Sequence, residues 1–173
     1  MQEVTYELKE NGFIGVVSDT HVPVRVSSLP GQLFTLLEGA DLILHAGDLE
    51  EESVLDELRT LAPVEAVAGN MDPMFLLADL GIKKIIHVGG ISLGLIHGSG
   101  MPRGVPDFAL QQFQDDKIQG LIFGHSHVPY LEYRKGMLLL NPGSAGSPRR
   151  GEKSSCARIW LEGKHLRGEI LYL

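Results

Sequence analysis
Apolar and polar positions follow two regimes along the chain. In the first half, short apolar runs alternate with helix-like stretches. Phe13-Ile14-Gly15-Val16-Val17 is short, apolar and rich in β-branched residues, as a buried strand is. Pro30 to Glu38 spaces Leu33, Phe34, Leu36 and Leu37 helically, and Asp41 to His45 is a second buried strand. Glu50 to Leu61 predicts a helix with acids in its first turn and Val54, Leu55, Leu58 and Leu61 on one face, stopped by Pro63. Val64 to Ala68 is a third strand. Strands alternating with helices predict crossover units and a largely parallel sheet.

The second half reads differently. Lys84 to Val88 and Ile91 to Ile96 flank Gly89-Gly90, a two-residue hairpin turn. Val105 to Phe113 predicts a helix and Gly120 to Phe123 a buried strand. Tyr130 to Arg134 and Met137 to Leu140 flank Lys135-Gly136, and Ser154 to Leu161 and His165 to Leu173 flank Glu162-Gly163-Lys164, giving two further hairpins. Alternating α/β followed by antiparallel β fits a mixed sheet, or two stacked sheets with helices outside. Residues 1–173 show no linker or composition shift, so one domain is expected.

The polar clusters that close the apolar runs carry the chemistry. Ser18-Asp19-Thr20-His21, His45-Ala46-Gly47-Asp48, Gly69-Asn70-Met71-Asp72, His97-Gly98 and Gly124-His125-Ser126-His127 each end a predicted strand. In open α/β sheets, sites form beyond the carboxyl ends of strands, so these clusters can converge. Asp19, His21, Asp48, Asn70, His97, His125 and His127 offer oxygen and nitrogen donors without a thiolate. Mixed imidazole and carboxylate sets suit manganese, iron, zinc, cobalt or nickel better than an all-oxygen calcium site. That donor set exceeds what one open catalytic metal needs but suits two metals sharing a carboxylate. Two such ions about 3.5–4 Å apart clamp the attacking and leaving oxygens of a displacement at phosphorus.

Composition bounds the partners. Hydrophobic residues are 43% and charged residues 21% of the chain, ordinary for a globular protein. The single cysteine, Cys156, excludes a disulfide framework and any CxxC site. No run approaches the ~20 apolar residues of a membrane span. The acid-bearing first dozen residues lack a signal-peptide core, so a cytoplasmic location and no membrane partner are expected. The net charge of −7 argues against coating extended nucleic acid. It does not argue against a small phosphate ester, because two dications held by Asp19 and Asp48 would reverse the local sign.

In order, Asp-x-His, Gly-Asp, Gly-Asn, His-Gly and Gly-His-x-His resemble the calcineurin-like metallophosphoesterase superfamily over Asp19 to His127. Asn141-Pro142-Gly143-Ser144 is similar to the tail motif of its small bacterial and archaeal phosphodiesterase branch. The resemblance implies a four-layer α/β/β/α sandwich of two mixed β-sheets flanked by helices, the metallo-dependent phosphatase fold. It implies one divalent ion on Asp19, His21, Asp48 and His127, and a second on Asp48, Asn70, His97 and His125, with Asp48 as the bridge. Manganese is expected first, with nickel, cobalt, iron or zinc as alternatives. A metal-bridging hydroxide would attack phosphorus in line, making Asp48, Asn70, His97 and His125 catalytic and the chain a phosphodiesterase acting on a small phosphate ester. The stretch Asp19 to Arg25 with Ser28-Leu29-Pro30 also resembles the retromer vacuolar-sorting subunit of the same fold, which implies the alternative of a non-catalytic scaffold with a vestigial metal site.

One position departs from the family pattern. Where many phosphatases of the superfamily carry His after Gly-Asn, this chain has Met71, which holds no proton to give, and Asp72 lacks that neighbour. Diesters with good leaving groups are therefore expected substrates. Arg103 and Arg149 are candidate substrate contacts, as are Arg25 and Arg150. His45 is a candidate orienting partner, and His87 and His165 are expected to be structural or exposed. A homo-oligomer is left open.

Overall fold
In the computed structural model, which describes residues 2–173, the strands form two mixed sheets. β2 (Phe13–Val17), β3 (Leu42–His45) and β4 (Val64–Ala66) run parallel in the five-stranded sheet, whose order is β11-β10-β2-β3-β4. β10 (Ser155–Glu162) and β11 (His165–Tyr172) complete it as an antiparallel hairpin. The six-stranded sheet has the order β1-β5-β6-β7-β9-β8. It comprises β1 (Gln2–Tyr6), β5 (Lys83–Val88), β6 (Ile91–Ile96), β7 (Gly120–Ile122), β8 (Tyr130–Arg134) and β9 (Met137–Asn141). All three expected hairpins are present. The last turns through only Gly163-Lys164, because Glu162 pairs with His165.

Period-2 alternation sorts the apolar side chains into three layers of core. Ile14, Val16, Leu42 and Leu44 from one sheet meet Ile86, Leu93, Leu95, Ile122, Leu138 and Leu140 from the other. The intervening residues point outward. Val17 and Ile43 pack under α1 (Gly31–Leu37), α2 (Ser53–Arg59) and α3 (Met74–Leu80) through Leu33, Leu37, Leu55, Leu58, Leu76 and Leu80. Ile85, Leu121 and Leu139 pack under α4 (Val105–Gln112) through Val105 and Ala109, with Phe113 just beyond. The result is the four-layer α/β/β/α sandwich.

The helix expected from Glu50 begins only at Ser53, leaving Asp56 as its one first-turn acid. Glu50 instead holds a left-handed backbone (φ 77°) and turns its carboxylate to His21. A strand and a helix fall outside the sequence reading, as does a 3-10 turn at Pro102–Gly104. β1 is a mostly exposed edge strand that contributes only Val4 and Tyr6 to the core, too sparse a pattern to read. α3 follows Pro73 and exposes Met74 and Phe75, so its apolar face is blurred.

Candidate metal centre
The loops after β2, β3, β4, β6 and β7 converge. Five of the seven expected ligands sit in left-handed backbone: Asp19 (φ 52°), His21 (φ 50°), Asp48 (φ 56°), His125 (φ 68°) and His127 (φ 57°). Non-glycine residues rarely adopt this region, and such strain collects at functional sites. The glycines are there for close approach. A Cβ on Gly69 would lie 2.2 Å from Asp48 Oδ1, and one on Gly124 would lie 2.0 Å from Ser18 Oγ.

Asp19, His21, Asp48 and His127 are buried, with candidate ligand atoms all within 4.8 Å of one another. His97 Nε2 lies 3.4 Å from Asp48 Oδ2 and 3.2 Å from Asn70 Oδ1. His125 Nδ1 lies 3.0 Å from the same Asn70 oxygen. The two groups meet at Asp48, whose Oδ2 is also 3.5 Å from His21 Nε2. Its other oxygen accepts the Met71 N–H at 2.8 Å. All seven expected donors thus stand together.

Each imidazole is fixed from behind. His97 Nδ1–H donates to Ala46 O at 2.7 Å, His125 Nε2–H to Gly100 O at 3.0 Å, and His127 Nδ1–H to Ser147 O. His21 Nδ1–H donates to Glu50 Oε1 at 2.5 Å. These acceptors assign the tautomers and leave the inward nitrogens of His21, His125 and His127 as lone pairs, and that of His97 as one once its proton is displaced, the arrangement of metal-ligating histidines. The consequence is a repulsive centre. His21 and His127 face each other Nε2 to Nε2 at 3.3 Å, and His127 Nε2 lies 3.2 Å from Asp19 Oδ1. That carboxylate oxygen is buried and has no hydrogen-bond partner. Electron pairs at this separation require a positive charge between them, so the donors fit a divalent cation.

Charge effects agree. Burial pushes the Asp48 carboxyl up, but bonding to His97 and the Met71 N–H overcomes it, leaving the group at about 2. Burial likewise opposes charge on His97, yet Asp48 and Asp19 raise it to about 9, so a proton on His97 supplies positive charge to the metal-free protein. Burial raises Asp19 despite Ser18, which donates to its Oδ2 at 2.6 Å. Burial also lowers His125 and His127 and keeps both neutral, ready to ligate.

Supporting residues to which the sequence reading gave no role at the centre now have one. Glu50 is one. Asp72 is a loop clamp: its carboxylate accepts the N–H groups of Gly69 at 2.7 Å, Glu50 at 2.7 Å and Asp48 at 3.0 Å. Ser144 Oγ donates to Asp19 O at 2.7 Å, and Asn141 donates to Gly124 O at 2.7 Å, so the Asn-Pro-Gly-Ser turn buttresses two ligand loops. Among the described residues, His45 makes no hydrogen bond to a ligand side chain. It bonds Thr20 and the Gly47 N–H within the ligand loops, and burial holds it neutral at about 3. His87 pairs with Ser92 and Glu3 on β5, and His165 is exposed on β11.

A cleft of about 270 Å³ opens above the centre, with Arg25 and Arg149 on its wall and Met71 beside Asn70. Arg103 lines a separate, more apolar cavity with Phe123 and Tyr130. Arg150 is exposed and lines neither of these cavities. Among the described residues, no helix is long and apolar enough to cross a membrane.

A model of the calcineurin-like phosphoesterase superfamily domain matches residues 13–164. A probable metallophosphoesterase of Methanothermobacter thermautotrophicus is 39% identical over 158 residues, which is 91% of this chain and 91% of that protein. Vps29 of Chaetomium thermophilum has the same fold, with a TM-score of 0.77 at 21% identity over 92% of this chain and 97% of its own. Vps29 of Entamoeba histolytica, solved in complex with zinc, gives a TM-score of 0.74 at 25% identity, covering 92% of this chain and 98% of that one.

Proposed function
Because the chain belongs to the calcineurin-like phosphoesterase superfamily, we propose that it is a phosphodiesterase working with two divalent cations, manganese first among them. The reading is carried by Asp48 Oδ2, which stands 3.5 Å from His21 Nε2 and 3.4 Å from His97 Nε2. One carboxylate oxygen facing two donor groups is what a shared ligand requires. Asp19, His21 and His127 would complete one ion's set, and Asn70, His97 and His125 the other's. The ions would supply Lewis-acid charge that lowers the pKa of an attacking water and neutralises the phosphoryl group.

The protein's own part is to keep that centre rigid and to leave the leaving group unassisted. Asp72 fixes the Asp48 loop through three N–H groups, and the four outer hydrogen bonds hold the histidines in their ligating tautomers. New bonding from water oxygen to phosphorus, with loss of the phosphorus–alkoxide or phosphorus–aryloxide bond, leaves an anion that needs a proton. Met71 lines the cleft and has none, and the Asp72 carboxylate is occupied by backbone. Aryl diesters, whose leaving groups depart as anions, are therefore favoured over alkyl monoesters. The fold also supports a second reading, a scaffold like Vps29, with exposed Met74 and Ile82 lining a cavity beside Asn70 and His97.

Turnover of bis(4-nitrophenyl) phosphate with Mn²⁺, in wild type and Asp48→Ala, tests the proposal. Loss of at least a hundredfold in the variant is expected. An inactive wild type that still binds metal favours the scaffold, and equal rates in both proteins reject the hydrolase. Faster hydrolysis of an alkyl monoester would sink the diester preference.

A further inference from the structure
We propose that the cleft binds a phosphate ester carrying a second phosphoryl group beside the reacting one, and that Arg149 and Arg25 hold that second group. The inference rests on the two-cation reading above and adds a substrate class to it.

The first observation concerns how the arginines are matched. Arg59 pairs with Asp56, Arg134 with Asp107 and Glu132, and Arg167 with Glu162. Arg158 bonds the Leu36 carbonyl and stacks on Phe13. Among the described residues, Arg25, Arg103, Arg149 and Arg150 have no carboxylate within ion-pair distance, in a chain with 22 acids to offer, and of these four Arg25 and Arg149 are the two on the cleft wall. Both line the cleft that holds Asp48, Asn70, His125 and His127.

The second observation is the posture of Arg149. Its Nε donates to Ser126 O at 2.7 Å, the carbonyl between the two histidines of the Gly-His-Ser-His loop. That bond anchors the guanidinium at one corner and leaves both terminal amino groups free, the fork that grips two oxygens of one phosphate.

Charge then decides the ligand. Two dications are already matched by Asp19, Asp48, an attacking oxygen of single charge and a singly charged diester. Glu50 and Asp72 are turned to His21 and to backbone N–H groups behind the ligands, and Asp48 is the one carboxylate lining the cleft, so the two guanidinium groups on its wall face a place for further negative charge. A neighbouring phosphoryl group supplies it in the geometry the fork takes, as in a pyrophosphate-linked or nucleoside diphosphate-like ester.

The test is calorimetric titration of the Mn²⁺-loaded full chain with methylenebisphosphonate and, separately, methylphosphonate, in wild type, R149Q, R25Q and R150Q. The wild type should prefer the bisphosphonate. R149Q and R25Q should each weaken it about tenfold or more, as loss of a charge-assisted contact implies, and weaken methylphosphonate less than threefold. R150Q should change neither. Equal losses for both ligands would mean that the arginines meet only the reacting phosphate, and no loss that they face solvent; either overturns the inference. R25Q serves if R149Q disturbs the Ser126 loop. Aryl diester hydrolysis run alongside separates the two readings. A protein that hydrolyses diesters but fails to discriminate the phosphonates sinks only this inference. One that discriminates them without hydrolysing any ester sinks only the phosphodiesterase.

Discussion
Glu50→Gln isolates the contribution of the residue behind His21. The Glu50 side chain is 6% exposed and the His21 side chain 0% exposed, and their contact is 2.5 Å. Glutamine keeps the shape and still offers an oxygen to the Nδ1–H, so the variant removes charge and little else. A hydrogen bond to a charged partner contributes about 1.5–3 kcal/mol against about 1 kcal/mol for a neutral one. The difference, about 0.5–2 kcal/mol, corresponds to roughly 2–30-fold in affinity. Loss of an outer partner of a metal ligand costs about 10–100-fold. The two ranges overlap near 10–30-fold, which is the expected rise in the Kd for Mn²⁺ by direct titration. Because both groups are buried, the effect should survive 0.5 M salt, where the Debye length is only about 3–5 Å. Glu51→Gln, one residue on and exposed, is the control and should shift Kd less than twofold. A Glu50→Gln Kd within threefold of wild type would refute the claim that His21 ligates through Nε2 with Glu50 fixing its tautomer.

Asp72→Ala leaves three N–H groups without their acceptor. It should cost about 3 kcal/mol, a fall in Tm of roughly 6–12 °C by differential scanning calorimetry; a shift under 2 °C would contradict the clamp. Because the His97 pKa is raised to about 9, its stabilisation of the metal-free protein is complete below the unfolded value near 6.5 and disappears as pH rises through about 9. Urea unfolding of metal-free protein should therefore weaken between pH 7 and 9.5, and Mn²⁺ binding at pH 8 should release a proton, read from the buffer dependence of the binding enthalpy. No buffer dependence would exclude proton displacement from the centre. Met71→His restores a proton donor at the cleft, so alkyl monoester turnover should rise by about 10²-fold relative to aryl diester turnover; an unchanged ratio would show that Met71 does not limit the leaving group.

The sandwich is legible from apolar runs because each core strand obeys period-2 sorting between two layers, as Leu42, Ile43 and Leu44 do. Edge elements are not, since β1 and α3 bury too few residues to leave a pattern. The seven donors are legible because each lies just beyond a strand whose end must turn, and the turns carry their residue types in a fixed order. Glu50 and Asp72 are not, because their roles depend on loops meeting across more than twenty residues of chain. Helix periodicity absorbed Glu50 into a first turn that its contact to His21 forbids. The arginines divide in the same way: sequence places four near the motifs, and only the folded loops decide that Arg25 and Arg149 line the cleft while Arg103 belongs to the adjoining cavity.

The central claim is that Asp48 joins two cation sites into one hydrolytic centre. The most direct measurement is hydrolysis of bis(4-nitrophenyl) phosphate against equivalents of Mn²⁺ added to metal-free protein, with bound metal counted in the same samples. The account predicts two ions bound per chain and a rate that rises mainly with the second equivalent. Binding that saturates at one ion per chain, or full activity at the first equivalent, would contradict it.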